Sequence, residues 1–161
     1  MKHQSDSEMK MSDFEHLVKE YKSTIYSVCY MFTETKPEAD DLFQEVLTRL
    51  WLGRESFRGD ANLKSWVYRV SMNTCISYKR KKRIKTVGLE FSADTAVPDS
   101  PAGRQAQMLH DRITKLEPFD RAIVMLWLED LSYDEIAAIV GITAKAVGVR
   151  LVRIKEKLKS L

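Results

Sequence analysis

The chain has 161 residues, of which 44% are hydrophobic and 30% are charged, and its formal net charge is +3. This ordinary balance fits one mid-sized domain or two small ones with a buried core. The two cysteines, Cys29 and Cys75, lie far apart, so we expect no disulfide framework and a reducing, cytoplasmic location. We expect no signal peptide, because residues 1–12 are polar, and no membrane span, because no apolar run approaches the roughly 18 to 20 residues that a span needs.

The charges are strongly segregated along the chain. Residues 61–89 contain eight lysines and arginines and no acid, whereas residues 34–45 contain five acids and one base, Lys36. Such segregation indicates two different partners, one of them a polyanion.

Apolar residues at helical spacing predict three helices in the first half. The first runs from Ser12 to about Phe32, and Ser12 with Glu15 forms a capping-box pattern. The second follows Pro37, has acids in its first turn and reaches Trp51. The third runs from about Leu63 to Lys82, after a turn-rich stretch, and is aromatic at its start and basic at its end.

The stretch from Thr86 to Ser100 has no period and is interpreted as a flexible linker, which would span about 50 Å when fully extended. Ser100 and Pro101 then suit the N-cap and first residue of a fourth helix, and Pro118 begins a fifth. No strand pattern occurs. The predicted fold is all-α, with two small helical bundles joined by the linker.

The end of the second half has the pattern of a helix-turn-helix. Ser132 and Glu135 form a capping box, Gly141 suits a left-handed C-cap, and Thr143 suits the N-cap of the next helix. The inward residues of that last helix are Val147, Leu151, Ile154 and Leu158. The pattern predicts a basic second helix for the DNA major groove. The alternative is a plain helical hairpin with a solvated basic face.

The third helix combines aromatic and basic residues. Trp66, Arg69, Asn73 and Arg80 fall near one side, which could stack on unpaired bases and hold phosphates. On the residues alone, an aromatic core with solvated lysines explains the pattern equally well.

Residues 57–74, which include the turn before the third helix and its first half, resemble the promoter-melting segment of bacterial RNA polymerase sigma factors. More narrowly, they resemble that segment in the two-domain extracytoplasmic-function (ECF, group 4) type. Residues 14–25 resemble the start of the first sigma domain. Residues 39–47, Ala-Asp-Asp-Leu-Phe-Gln-Glu-Val-Leu, with Trp51 following, resemble the segment that grips the polymerase clamp helices. Residues 116–158 resemble the second domain, which reads the −35 element. The resemblance covers nearly the whole chain.

The resemblance implies a region 2-like domain over 12–83, a linker over 84–100 and a region 4-like domain over 101–161. It implies an alternative sigma factor that binds core RNA polymerase, reads the −35 and −10 promoter elements and helps melt the duplex. Its expected partners are core polymerase (clamp helices and flap), promoter DNA and an anti-sigma factor, either soluble or membrane-bound. We expect no catalysis, cofactor, metal or small-molecule substrate.

The resemblance also implies three sets of contact residues. The polymerase-binding set is Asp40, Asp41, Phe43, Gln44, Glu45, Thr48, Arg49 and Trp51. The −10 and melting set, with a flipped base held by residues 58–62, is Arg58, Asp60, Asn62, Lys64, Trp66, Arg69, Asn73, Ser77 and Arg80. The −35 set is Thr143, Lys145, Ala146, Gly148, Val149, Arg150 and Arg153.

Each set has a structural alternative. The first set could be helix-start acids and a core stripe, and Asp60 or Asn62 could simply cap the third helix. Residues 79–83, which would add phosphate contacts, could be a solvated basic helix end.

One position departs from the family pattern, which places a basic and a small polar residue before the arginine of the recognition helix. Here Gly148 and Val149 precede Arg150. Either the −35 element is read through thymine methyl groups and backbone shape, or a partner helix packs closely at Gly148. The sequence leaves both open.

Three other functions compete with this interpretation. A sigma-mimicking decoy would lack the basic DNA-binding helix, and a helix-turn-helix repressor would not need residues 40–51 and 57–74. A nucleic-acid enzyme could use Asp40, Asp41 and Glu45 as metal ligands, but no second cluster completes a site.

Overall fold

The computed structural model describes residues 9–57, 62–85 and 100–160, and within these ranges it contains helices and no strand. The predicted all-α class is confirmed. The helices are α1 Met11–Met31, α2 Lys36–Leu52, α3 Leu63–Lys85, α4 Pro101–Thr114, α5 Pro118–Leu128, α6 Tyr133–Val140 and α7 Ala144–Ser160, with a 3-10 turn at Arg54–Ser56. The predicted linker lies almost entirely outside the described residues.

Side-chain caps start most of these helices. The Ser100 hydroxyl accepts the N–H of Gly103 at 2.9 Å, and the Ser132 hydroxyl accepts that of Glu135 at 3.2 Å, both as predicted. Thr35, which the sequence analysis passed over, caps α2 by accepting the N–H of Glu38 at 3.3 Å.

The predicted start of α1 is wrong by one residue. The helix begins at Met11, and the Asp13 carboxylate accepts the N–H of Lys10 at 3.3 Å. Ser12 therefore lies inside the first turn, and the proposed Ser12–Glu15 capping box does not form. Since Asp13 is also a strong helix-start residue, the local pattern allowed two registers. At the other end of this half, α3 continues past Lys82 to Lys85.

Both halves contribute buried apolar residues to one hydrophobic cluster. In the first half α1, α2 and α3 enclose Phe32, Leu42, Val46 and Met72, all of which are buried. Cys29 on α1 and Cys75 on α3 are buried free thiols whose Sγ atoms lie 4.0 Å apart. In the second half the buried residues include Ile123, Leu126, Ile136, Val147 and Leu151.

The two halves also pack against each other, with α3 against α5 and α6 and the end of α1 against α4. Tyr68 on α3 is buried in this interface, where burial and the neighbouring Glu129 of the second half raise the pKa of its phenol to about 12. Arg69 donates to the main-chain carbonyl of Ala138 on α6 at 2.5 Å.

Arg121 on α5 joins the halves at their centre. The residue is only 3% exposed, and its guanidinium donates to the carbonyls of Met31 at 3.0 Å, Leu116 at 3.1 Å and Thr114. Its charge also lies 5.2 Å from the ring centroid of Phe32. Met31 and Thr114 are the last residues of α1 and α4, so Arg121 satisfies carbonyls that a helix end leaves without partners. Burial lowers the pKa of this guanidinium.

We expect Arg121→Leu to destabilise the protein by about 3 kcal/mol, because several buried carbonyls lose a charged donor. Arg121→Lys should reduce the free energy of unfolding by less, since an ammonium group keeps the charge but not the fork geometry of the guanidinium. Urea denaturation followed by circular dichroism measures both. The control is Arg104→Ala at an exposed site on α4, which should stay within about 0.5 kcal/mol of the parent. Equal stability of Arg121→Leu and the control would contradict the bridging role.

Candidate nucleic-acid interface

Helix α7 presents most of the residues predicted for −35 contact around one open depression. Thr143 caps the helix by accepting the N–H of Ala146 at 3.1 Å, and Gly141 has the left-handed conformation (φ +80°) that the turn requires. The depression is lined by Asp120 together with Thr143, Lys145, Ala146, Val149, Arg150 and Arg153. Six of the seven residues predicted for −35 contact therefore share one surface.

Arg150 is held by the second half itself. Its guanidinium bonds the Asp120 carboxylate at 3.0 Å and lies 4.8 Å from the ring centroid of Phe119. The neighbouring Lys155 ammonium lies 4.2 Å from the ring centroid of Trp127. Both contacts link α7 to α5. Asp120 was not predicted, because an acid in the first turn of a helix ordinarily signals only dipole stabilisation.

Gly148 faces α6 of the same chain. A β-carbon built there would lie 3.4 Å from Cε2 of the Tyr133 ring. The close neighbour at this glycine is therefore the first helix of the same helix-turn-helix. Val149, one residue on, is exposed.

On α3 the predicted −10 residues separate into two groups. Lys64, Arg69, Asn73 and Arg80 are exposed, whereas Ser77 is half-buried. Trp66, expected to be exposed, is also half-buried, because its ring packs against Phe57 at 5.3 Å between centroids. This indole is thus partly a core residue.

The start of α3 supports the capping alternative for Asn62. Its carboxamide oxygen accepts the N–H of Lys64 at 3.0 Å. Arg58 and Asp60, the other two residues predicted to hold a flipped base, lie outside the described residues.

Part of the basic end of α3 is neutralised by α2 and the residues before it. Lys82 bonds Glu38 at 2.7 Å, and both Lys79 and Lys82 lie 3.7 Å from Glu34. Tyr78 also donates to Glu38 at 2.7 Å. Burial acts to raise the pKa of Glu38, but the bonds from Lys82 and Tyr78 outweigh it and lower this pKa. Arg80 and Lys81 remain exposed.

The predicted polymerase-binding residues of α2 also divide in two. Asp41, Gln44, Glu45, Thr48 and Arg49 are exposed along one side of the helix. We call these five residues the α2 face.

The other three predicted residues make structural contacts. Asp40 accepts from the Tyr26 hydroxyl at 2.9 Å, and Phe43 packs edge-on against the Tyr26 ring. Trp51 lies between the Phe14 ring and the Arg54 guanidinium, whose central carbon is 3.7 Å from the indole centroid.

Leu52, which the sequence analysis passed over, is 70% exposed four residues after Thr48, at the end of the α2 face. The helical period would have found it, because a leucine there cannot reach the core stripe of Leu42, Val46 and Leu50.

The described residues bring together no group of three or more histidine, cysteine, aspartate or glutamate side chains able to hold a metal ion. None of the helices in 9–57, 62–85 and 100–160 is both long and apolar enough to cross a membrane.

Two protein-family models match separate parts of the chain. Sigma-70 region 2 matches residues 17–84, and Sigma-70, region 4 matches residues 106–158. Regions 2 and 4 in this order define a sigma factor of the sigma-70 class.

Individual relatives narrow the class. The chain is 28% identical to the ECF RNA polymerase sigma factor SigW of Bacillus subtilis (strain 168), covering 91% of this chain and 87% of that protein. It is 27% identical to the RNA polymerase sigma factor YlaC of the same organism, covering 94% and 93%. The chain belongs to the ECF group of sigma-70 factors. It binds core RNA polymerase and directs promoter-specific transcription initiation as an alternative sigma factor.

Solved structures agree on the fold. The sigma factor RpoE of Bartonella quintana, in complex with the anti-sigma factor NepR, superposes with a TM-score of 0.75 at 22% identity over 93% of this chain and 96% of that one. CnrH in complex with the cytosolic domain of CnrY gives a TM-score of 0.66 at 20% identity over 94% and 88%. The resemblance to an ECF sigma factor is confirmed, and the repressor alternative leaves region 2 unexplained.

We expect Gly148→Ala to stabilise the protein by about 0.5–1 kcal/mol, because alanine favours helix and its methyl would touch the Tyr133 ring at an ordinary contact distance. The matched control is Gly141→Ala, which should destabilise by about 1–2 kcal/mol because a β-carbon is disfavoured at φ +80°. Thermal unfolding of both variants checks the signs. Destabilisation by both substitutions would show that the Tyr133 ring leaves no room for a methyl group at Gly148.

Proposed function

We propose that the two halves divide the promoter between them. In this proposal α7 reads the −35 element, α3 and the residues before it open the −10 element, and the α2 face binds the clamp helices of core polymerase. The protein acts by binding alone, without catalysis or a cofactor, in the cytoplasm where it meets the polymerase. The observation that carries the proposal is an exposed polar α2 face in the same chain as two helices with exposed cations, α3 and α7.

The α2 face suits a protein partner because its internal contacts are weak. Its one ion pair, Glu45 with Arg49 at 3.1 Å, is half-exposed on both sides and spans one helical turn. Such a pair contributes only about 0.3–0.5 kcal/mol, so its charges are readily exchanged for those of a partner. Leu52 adds an exposed apolar contact at the end of the face.

The −10 proposal begins at the loop before α3. Flipping a base out of the duplex costs a few kcal/mol, which pocket contacts must offset. Asn62 uses its carboxamide oxygen to cap α3, and an amide also offers two N–H donors to a base edge. The exposed cations Lys64, Arg69 and Arg80 continue from there along α3 and would hold the backbone of the melted strand.

Binding both elements requires the two halves to separate. The −10 and −35 elements are about 25 base pairs apart, roughly 85 Å at 3.4 Å per pair, whereas α3, with 23 residues, is only about 35 Å long. The 14 residues 86–99 can span about 50 Å when extended. Separation would also free Arg69 from Ala138 for contact with DNA.

The closed packing of the halves is the form that an anti-sigma factor would hold. Two structurally similar sigma factors were solved with anti-sigma partners. We therefore include an anti-sigma factor, soluble or membrane-bound, among the proposed partners of this chain.

The clamp assignment is tested by reversing charge on the α2 face. Asp41→Arg combined with Glu45→Arg should weaken binding to core polymerase at least tenfold, because both acids are exposed and would meet a complementary surface. Fluorescence anisotropy of labelled protein against core polymerase measures the affinity. The matched control is Glu20→Arg at an exposed site on α1, which should bind as the parent does. Parent-like binding by the double variant would remove the α2 face from the interface.

The melting role is tested at Asn62 with two substitutions. Asn62→Ser keeps a helix cap and removes the carboxamide, so it should fold normally and yet slow promoter opening. Asn62→Ala removes both and should also lose about 1 kcal/mol of stability. Initiation is compared on duplex and pre-melted promoters. If Asn62→Ser reduces initiation equally on the duplex and the pre-melted promoter, or reduces it on neither, the flipped-base role is wrong.

A further inference from the structure

The outward side of α7 carries an apolar stripe between cations. Val149 is 47% exposed and Val152 is 59% exposed, and residues three apart on a helix are surface neighbours. Neither belongs to the hydrophobic core of the described residues. This exposed pair of β-branched side chains in the middle of a basic helix is therefore available for contact with an apolar group.

The polar side chains nearby are arranged around this stripe. Arg150 is turned to Asp120 and stacked near Phe119, and the Lys155 ammonium lies over Trp127. Gly148 offers no side chain and faces Tyr133. Lys145 and Arg153 remain exposed on the same side of α7 as Val149 and Val152. Cations at the edges of a groove-binding helix reach phosphates, while the central side chains meet base edges.

Thymine is the one standard base that presents a methyl group in the major groove, at its C5 position. The base edges are otherwise read mainly through hydrogen-bond donors and acceptors. Valine has neither a donor nor an acceptor. A valine pair at the base edges would therefore favour sequences that present thymine methyl groups over sequences that lack them.

We propose that Val149 and Val152 read the −35 element by contact with thymine C5 methyl groups, with Lys145 and Arg153 positioning the helix on phosphates. This inference rests on the proposed −35 role of α7 and gives its base code. The competing occupant of the stripe is an apolar protein surface on core polymerase.

Deoxyuridine separates these possibilities, since it pairs as thymine does and lacks only the methyl. The −35 element is first located by mapping transcript starts, and its thymines are then replaced one at a time by deoxyuridine. Holoenzyme affinity is measured at one fixed salt concentration. At a contacted position the parent protein should lose about threefold to fivefold in affinity per methyl. The variant carrying Val149→Ala and Val152→Ala should be weaker on thymine DNA and insensitive to deoxyuridine. Alanine favours helix, so this variant should fold.

Three results would overturn the inference. One is a −35 element without thymine. Another is a deoxyuridine effect that is absent in the parent or equal in parent and variant. The third is loss of core polymerase binding in the variant without any change in −35 preference, which would assign the stripe to a protein contact. If Lys145→Ala with Arg153→Ala and scrambling of the −35 element also leave initiation unchanged, the −35 role of α7 itself fails. If those changes impair initiation, only the methyl code is wrong.

Discussion

The contact that the rest of the arrangement depends on is the buried fork of Arg121. Its donors reach the carbonyl ends of α1 and α4 and the turn at Leu116, so one side chain closes two helix ends in different halves of the protein. Burying a guanidinium is costly unless its donors are satisfied, and within the described residues its Nε finds no acceptor. The Arg121 contacts therefore define how the two halves pack, but one buried donor without a partner makes this packing less stable than it could be. Such a contact can hold the halves together and still yield to a stronger partner.

Helix α3 shows how this closure bears on function. One side of it fills the core through Val67, Met72 and Cys75, and its neighbouring side meets the second half through Tyr68 and Arg69. Asn73 and Arg80, also proposed for the −10 element, are exposed and follow Arg69 on its side of the helix. In the proposed function, closing the halves would therefore compete with the binding of melted DNA at Arg69, because the same guanidinium bonds Ala138 in the closed form.

Local signals in the sequence predicted the helices well. Ser132, Gly141 and Thr143 each define a helix end through contacts within three or four residues, so the helix-turn-helix could be predicted in detail. The start of α1 was missed by one residue because Ser12 and Asp13 are both good helix-start residues. The sequence left open whether Trp66 is exposed or part of the core, because its partner Phe57 follows the 3-10 turn and is not part of the periodic pattern of α3.

Long-range contacts escaped prediction for a physical reason. Arg121 has the pattern of a surface residue, and nothing in the neighbouring sequence shows that the end of α1 comes to meet it. The pairing of Arg150 with Asp120 and the approach of Tyr133 to Gly148 likewise depend on how helices cross. Contact residues on the α2 face and on α7 were predicted by family resemblance, while their division into exposed and packed side chains needed the fold.

The most direct test of the account is the distance between the halves in the free and promoter-bound protein. Labels at Lys19→Cys on α1 and Lys157→Cys on α7 sit at exposed sites, while the native thiols are buried and unlabelled. Pulsed electron paramagnetic resonance should give one short distance in the free chain. In the complex with core polymerase and promoter DNA that distance should grow by roughly 30 Å or more, because the two elements are farther apart than the closed protein is long. An unchanged distance in the promoter complex would contradict the account.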